Sequence, residues 1–221
     1  MTKEEARKRI ADVGIVPVVR ASSPQQALQA AEAVCAGGIP IVEVTMTVPG
    51  AIEVIAQLVK TAGKDLLVGA GTVLDAETAQ RCFDAGAEFL VSPGFDLETV
   101  KLARARRVLV IPGALTPTEV VTAWKAGSDL VKIFPCGAVG GAKYIKALKG
   151  PLPDVPMVPT GGVNLDTAAD FILAGAEALG IGGELVSASA LKSGKTNEIT
   201  EAARKFVAIV REARQKATAN R

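Results

Sequence analysis

An α/β barrel of eight strand–helix units, preceded by an extra helix, is the fold the sequence predicts, and three observations predict it. Eight short apolar runs end in Gly, Pro or a polar residue, Ala-rich amphipathic segments alternate with them, and the spacing of the units is nearly constant. With Arg20, Glu43, Thr72, Pro93, Pro112, Pro135, Pro159 and Gly182 as strand ends, the intervals are 23, 29, 21, 19, 23, 24 and 23 residues. Continuous apolar runs, each followed by a helix, imply a parallel sheet covered by helices. Eight such units are the number that closes a (β/α)8 TIM barrel.

The elements follow in order. Thr2 and Glu5 form a capping-box pattern, which sets a helix over about 3–12, outside the eight units and beneath the barrel. The first strand is "GIVPVVR", and "SPQQALQAAEAVCAG" opens on Ser and closes on Gly as the helix behind it. "IPIVEVTM" and "LLVGAGT" are the second and third strands, and "DAETAQRCFDAG" is a helix with the same start and stop signals. "FLVSPG" and "VLVIPGA" are the fourth and fifth, followed by the helix "TPTEVVTAWKAG". "LVKIFP" is the sixth, with a helix in "GAKYIKALKG"; "MVPTGG" and "ALGIGG", separated by the helix "LDTAADFILAG", complete the set. A last helix, about 197–216, packs Ile199, Ala202, Phe206 and Ile209 on the barrel. No break in composition divides the chain, so 1–221 is expected as one domain with a flexible tail at about 216–221. An open doubly wound sheet would also alternate strands and helices. It needs a Gly-rich fingerprint after the first strand, where "VVRASSP" has none.

Composition narrows the function. With 49% hydrophobic side chains, 221 residues bury one sizeable core, and a net charge of +2 offers no global field for nucleic acid or a membrane surface. The first residues are charged rather than leader-like, and no apolar run reaches membrane-spanning length, which predicts a soluble, cytoplasmic protein. Cys35, Cys82 and Cys136 are too scattered for a disulfide framework or a zinc motif and are expected in or near the core. Histidine is absent, which removes Ser-His triads and the commonest ligand of catalytic metals. Chemistry must rest on lysine, carboxylates, hydroxyls and backbone amides.

Barrel sites are built from strand ends and the loops after them. In "IVEVTMT", alternation places Glu43, Thr45 and Thr47 on one face and the valines on the other; the same rule groups Leu130, Lys132 and Phe134. With Val131 and Ile133 facing the helices, Lys132 and Glu43 point inward and share a layer. They form either a structural ion pair or an amine nucleophile with a proton shuttle. Desolvation disfavours the ammonium form, which prepares an amine for Schiff-base chemistry. Lys143, Lys146 and Lys149 read instead as the solvated face of a helix. Thr72 and Thr160 are hydroxyls beside glycines at strand ends, and the loops "TGGVN" and "GIGGE" offer the amides of Gly161, Gly162, Gly182 and Gly183 where barrels often hold phosphate.

The ordered motifs "EVTMTVPGA", "VGAGTV", "VSPG", "IPGALTPTE", "VKIFP", "KALKGPLP" and "VPTGGVN" resemble the bacterial 2-keto-3-deoxy-6-phosphogluconate aldolases, which overlap with the 4-hydroxy-2-oxoglutarate aldolases, over about 14–210. The resemblance implies a class I aldolase that releases pyruvate from a 2-keto acid, with glyceraldehyde 3-phosphate or glyoxylate as the second product. It implies Lys132 as the imine-forming residue, Glu43 as the proton shuttle, Thr72 and Thr160 at the pyruvate end and Phe134 beside the reacting carbons, with Pro93 at a further substrate-facing strand end. It also implies a homotrimer and no metal or organic cofactor. Two departures stand out. Thr47 replaces a carboxylate-binding arginine, for which Arg20 is the substitute, and Gly183 followed by Glu184 replaces a phosphate-binding serine motif. The alternatives are a phosphosugar isomerase or epimerase on the same barrel, and a non-catalytic scaffold barrel.

Overall fold

Helix α1 (Lys3–Val13) begins at the predicted capping box, with the Glu5 N–H donating to Thr2 Oγ1 at 3.2 Å and the Thr2 N–H to Glu5 Oε2 at 2.7 Å. It ends at Gly14, whose φ of 72° is the left-handed conformation that lets its N–H reach Ile10 O. The structure, a computed structural model, describes residues 1–219. From Gly14 the chain alternates: β1 (Ile15–Val19), α2 (Pro24–Ala36), β2 (Ile41–Thr45), α3 (Ala51–Ala62), β3 (Leu67–Gly71), α4 (Ala76–Asp84), β4 (Phe89–Val91), α5 (Leu97–Ala105), β5 (Leu109–Ile111) and β6 (Gly113–Ala114). It continues with α6 (Pro117–Lys125), β7 (Val131–Ile133), a 3-10 turn (Cys136–Val139), α7 (Ala142–Lys149), β8 (Met157–Pro159), α8 (Ala168–Leu173), β9 (Leu179–Ile181), α9 (Ala188–Lys192) and α10 (Thr196–Ala219). Ser23, Asp75 and Thr116 accept from the N3 amides of their helices, so these predicted start signals act as caps, and Asp96, which was not among them, caps α5 in the same way.

The result is an α/β fold with a curled parallel sheet. One part has the order β5-β4-β3-β2-β1-β9 and the other β6-β7-β8, and every pairing is parallel. The predicted fifth strand is split in two by Pro112, which has no N–H for the ladder. The Pro112 carbonyl accepts from Lys132 N at 2.9 Å, so the chain leaves β4 as β5 and joins β7 as β6. At the other margin Thr160 and Gly180 form a parallel bridge between the ends of β8 and β9.

Strand residues are buried on both faces, as crossover helices require. Phe89 is fully buried because Gly69 beside it has no side chain: a Cβ at Gly69 would lie 2.4 Å from the ring. Helix α1 crosses the strand starts, opposite the strand ends that carry the candidate site. Lys3 pairs with Asp129 at 2.8 Å, Arg9 donates to Lys64 O at 3.0 Å, and Arg214 of α10 donates to Asp12 O at 2.7 Å.

Several expectations need correction. Helix α10 buries Ile199, Ala203, Phe206, Val210 and Ala213, while Ala202 and Ile209 are only partly buried; packing between α2 and α8 turns the face by one residue. The helix continues through Ala219, so the segment expected as a tail from about 216 is helical that far, and 220–221 lie outside the described residues. Cys82 and Cys136 are buried but Cys35 is exposed. Lys149 is not on a solvated face: half-buried, it donates to Val155 O at 2.7 Å and Pro153 O at 3.1 Å, tying down the loop before β8.

Candidate active site

Lys132 sits at the middle of β7 between buried Val131 and Ile133, with Gly113 and Val158 as its register partners. It is 3% exposed, and its Nζ lies 4.9 Å from the centre of the Phe134 ring, two residues on and therefore on the same face. Burial pushes the amine below the ordinary lysine value; the Glu43 charge opposes that shift and the Arg20 charge adds to it.

Glu43 sits at the middle of β2 and is 2% exposed. Burial raises its carboxyl above the ordinary carboxylate range, against the smaller opposing effects of Lys132 and Arg20. Among the described residues no ion pair within 4.0 Å joins Glu43 to Lys132, and Glu43 Oε1 is a buried acceptor without a partner. A contact ion pair plugging the barrel is therefore not what the sequence built. Instead, a desolvated amine and a desolvated carboxyl each favour their neutral form in one electrostatic environment. A buried acceptor left open costs about 1–3 kcal/mol, which is tolerated where a water or a substrate group completes it.

Arg20, Phe134 and Thr160 line a cavity of about 140 Å³ with the predicted glycines 161, 162, 182 and 183. Val18, Val163, Gly180 and Glu184 line it as well. Among the described residues Arg20 and Glu184 are the charged ones that line it, so the cavity carries one charge of each sign. Thr160 is buried, and its hydroxyl occupies space that a side chain at Gly180 would fill, since a Cβ there would lie 2.1 Å from Oγ1. Of the predicted site residues, Thr47, Thr72 and Pro93 do not line this cavity, and neither do Lys132 and Glu43; Phe134, beside the Lys132 amine, and Val18, the register partner of Glu43, connect that pair to it. Thr45 donates its hydroxyl hydrogen to Val19 O at 3.0 Å, so in the 2.7 Å Thr45–Thr47 contact it is the exposed Thr47 that donates. Thr72 holds a φ of 56°, an uncommon conformation for a β-branched residue, which bends the chain at the end of β3. Sequence reasoning passed over Val18, Gly180 and Gly71, because a valine or glycine at a strand end carries no chemical signal of its own.

Among the described residues no group of three or more His, Cys, Asp or Glu side chains is placed to hold a metal ion. A larger groove, of about 770 Å³, lies between α1 and α10 at the other end of the molecule and includes none of these residues.

A curled parallel sheet with a desolvated lysine and a buried carboxyl near one cavity has the parts of an enzyme that works through an amine nucleophile. The family model "KDPG and KHG aldolase" matches residues 6–202. The chain is 37% identical over 199 residues to the 2-dehydro-3-deoxy-phosphogluconate aldolase of Treponema pallidum, covering 90% of this chain and 94% of that one. It superposes with a TM-score of 0.84 and 32% identity on the KDPG aldolase of Legionella pneumophila with pyruvate captured as a covalent carbinolamine, over 91% of this chain and 97% of the other. A cube-shaped protein cage designed by fusing symmetric oligomeric domains matches with a TM-score of 0.87 and 32% identity, over 94% of this chain and 76% of that chain. The protein belongs to the KDPG and KHG aldolase family.

Proposed function

We propose that the protein cleaves 2-keto-3-deoxy-6-phosphogluconate to pyruvate and glyceraldehyde 3-phosphate, and 4-hydroxy-2-oxoglutarate to pyruvate and glyoxylate, through an imine on Lys132. The observation that carries the reading is the desolvated Lys132 amine within one electrostatic environment with the unpartnered carboxyl oxygen of Glu43. The carbinolamine of the Legionella relative supports the same chemistry.

The neutral amine adds to the C2 keto carbon, and Glu43, through a water, delivers the proton that lets hydroxide leave as water from the carbinolamine. Glu43 then takes the proton of the C4 hydroxyl. The C3–C4 bond breaks with its electron pair passing into the iminium, which gives an enamine and the free aldehyde. Protonation at C3 and addition of water release pyruvate and restore the amine. Each step returns Glu43 to the opposite protonation state, which suits a carboxyl whose neutral form burial favours.

Arg20, Thr47, Thr72 and Thr160 hold the pyruvyl carboxylate and keto oxygen in this reading, Phe134 borders the reacting carbons, and Pro93 closes the substrate side at the end of β4. The amides of Gly161, Gly162, Gly182 and Gly183 take the phosphate, with Glu184 limiting the negative charge the cavity accepts. The two sheet parts, joined through Pro112 and the Thr160–Gly180 bridge, form one closed (β/α)8 barrel domain with α1 as its extra helix. The barrel works as a soluble homotrimer in the cytoplasm; the oligomeric domains of the designed cage support the assembly.

The test is pyruvate release from both keto acids by the wild-type protein and by Lys132→Arg. Arginine stays charged and cannot form the imine, so turnover falls by more than about 10³-fold. Pyruvate release retained in Lys132→Arg would overturn the imine mechanism, and no release from either keto acid by the wild-type protein would replace the aldolase reading with isomerase or epimerase chemistry on the same barrel.

A further inference from the structure

Gly71 is the last residue of β3 and lies in register with Thr45, whereas Glu43 lies in register with Gly69. The Glu43 carboxylate nonetheless lies over Gly71. A Cβ at Gly71 would sit 1.9 Å from Glu43 Oε1 and 2.6 Å from both Cδ and Cγ. The side chain thus leans one residue pair up the sheet, about 6–7 Å along the strand, towards the ends that carry the site. Below it the same device has a different occupant, since the space over Gly69 holds the Phe89 ring.

Gly71 is not required by the backbone, because its φ is not among the positive values found at many other glycines of the chain. At Gly113 the missing side chain first makes room for a neighbouring backbone, since a Cβ there would lie 2.2 Å from that of Pro93. At Gly71 the three nearest atoms to a Cβ all belong to Glu43, so the first thing the missing side chain makes room for is that carboxylate.

We propose that Gly71 is a positioning residue for proton transfer: the empty Cβ position is the seat that holds the Glu43 carboxylate at the height of the reacting carbons. The proposal rests on Glu43 as the proton shuttle of the aldolase reaction. With a methyl group in the seat, the carboxylate must swing away while the amine of Lys132, on β7, keeps its place. Truncating the side chain at Cβ with Glu43→Ala removes all three atoms that the methyl group meets, so Gly71→Ala costs nothing further in that background.

A double-mutant cycle of Gly71→Ala and Glu43→Ala tests this, read by pyruvate release, by borohydride trapping of pyruvate on Lys132 and by thermal melting. Gly71→Ala lowers kcat by about 10²-fold, as misplacement on the scale of 1 Å does, with KM changed less than about threefold. Trapping on Lys132 still reaches completion, more slowly. In the Glu43→Ala protein, which has no carboxylate to misplace, Gly71→Ala lowers turnover and melting no further, so the two losses are coupled by at least about tenfold. If Gly71→Ala does not fold, the double variant folds, because Glu43→Ala removes the three atoms that the methyl group meets. Additive losses, unchanged kcat in Gly71→Ala, or a double variant that also fails to fold would each overturn the seat. Glu43→Gln separates this from the underlying reading: full turnover there removes the shuttle itself, whereas an inactive Glu43→Gln with an additive cycle removes only the role of Gly71.

Discussion

At Lys132 one dominant effect, desolvation, lowers the proton affinity of the amine while two charges act in opposite directions. The Glu43 carboxylate stabilises the ammonium and the Arg20 guanidinium destabilises it, which gives a signed test. The free amine is the nucleophile, so the rate of imine trapping rises with pH through the Lys132 titration. Glu43→Gln removes the stabilising charge, moves that rise to lower pH and lowers cleavage by about 10²–10⁴-fold. Arg20→Ala moves the rise to higher pH; trapping rates measured against pH in the three proteins check both directions. At this scale Lys132 and Glu43 were legible because a charged residue inside an apolar strand needs a reason. The engagement of Thr47 by Thr45 and the anchoring of Lys149 were not, since each depends on how a local turn aims a side chain, and the space over Gly71 was not, since it depends on the pairing of β2 with β3.

Strands and helices carried the clearest sequence signals. The expected caps at Thr2, Ser23, Asp75 and Thr116 all form, because a side-chain oxygen followed by free amides is a local arrangement that needs no tertiary partner. Features that depend on neighbouring elements were read less well. Pro112 splits one predicted strand because it has no N–H for the ladder while its carbonyl accepts from Lys132 N, and α10 buries a face set by two helices at once. Phe89 likewise fills the space left by Gly69, its register partner on the adjacent strand. Phe89→Ala leaves an unfilled volume at the centre of the sheet and destabilises the protein by about 3–5 kcal/mol. Denaturant unfolding checks this, with the midpoint falling and the slope unchanged.

Over the whole molecule the strand count and spacing made the α/β plan readable, because each crossover obeys the same length constraint. Helix α1 was legible as an element through its cap, but its anchoring to the loops ahead of β3 and β7 was not, since those contacts join residues far apart in the chain. How copies of the chain meet was not legible either, because patches such as exposed Leu74 and Leu173 are defined only once the fold exists. The proposed homotrimer predicts a solution mass of three times 22.7 kDa, independent of substrate, in a sedimentation or light-scattering measurement. A monomer of full activity would place the whole site in one chain and remove the assembly from the account.

The central claim is that Lys132 is buried in order to react. Reduction with borohydride in the presence of pyruvate, followed by peptide mass mapping, tests it most directly. The account predicts a single adduct of one reduced pyruvyl group per chain, on the peptide that carries Lys132. Folded protein that gains no adduct, or gains it on another lysine, would contradict it.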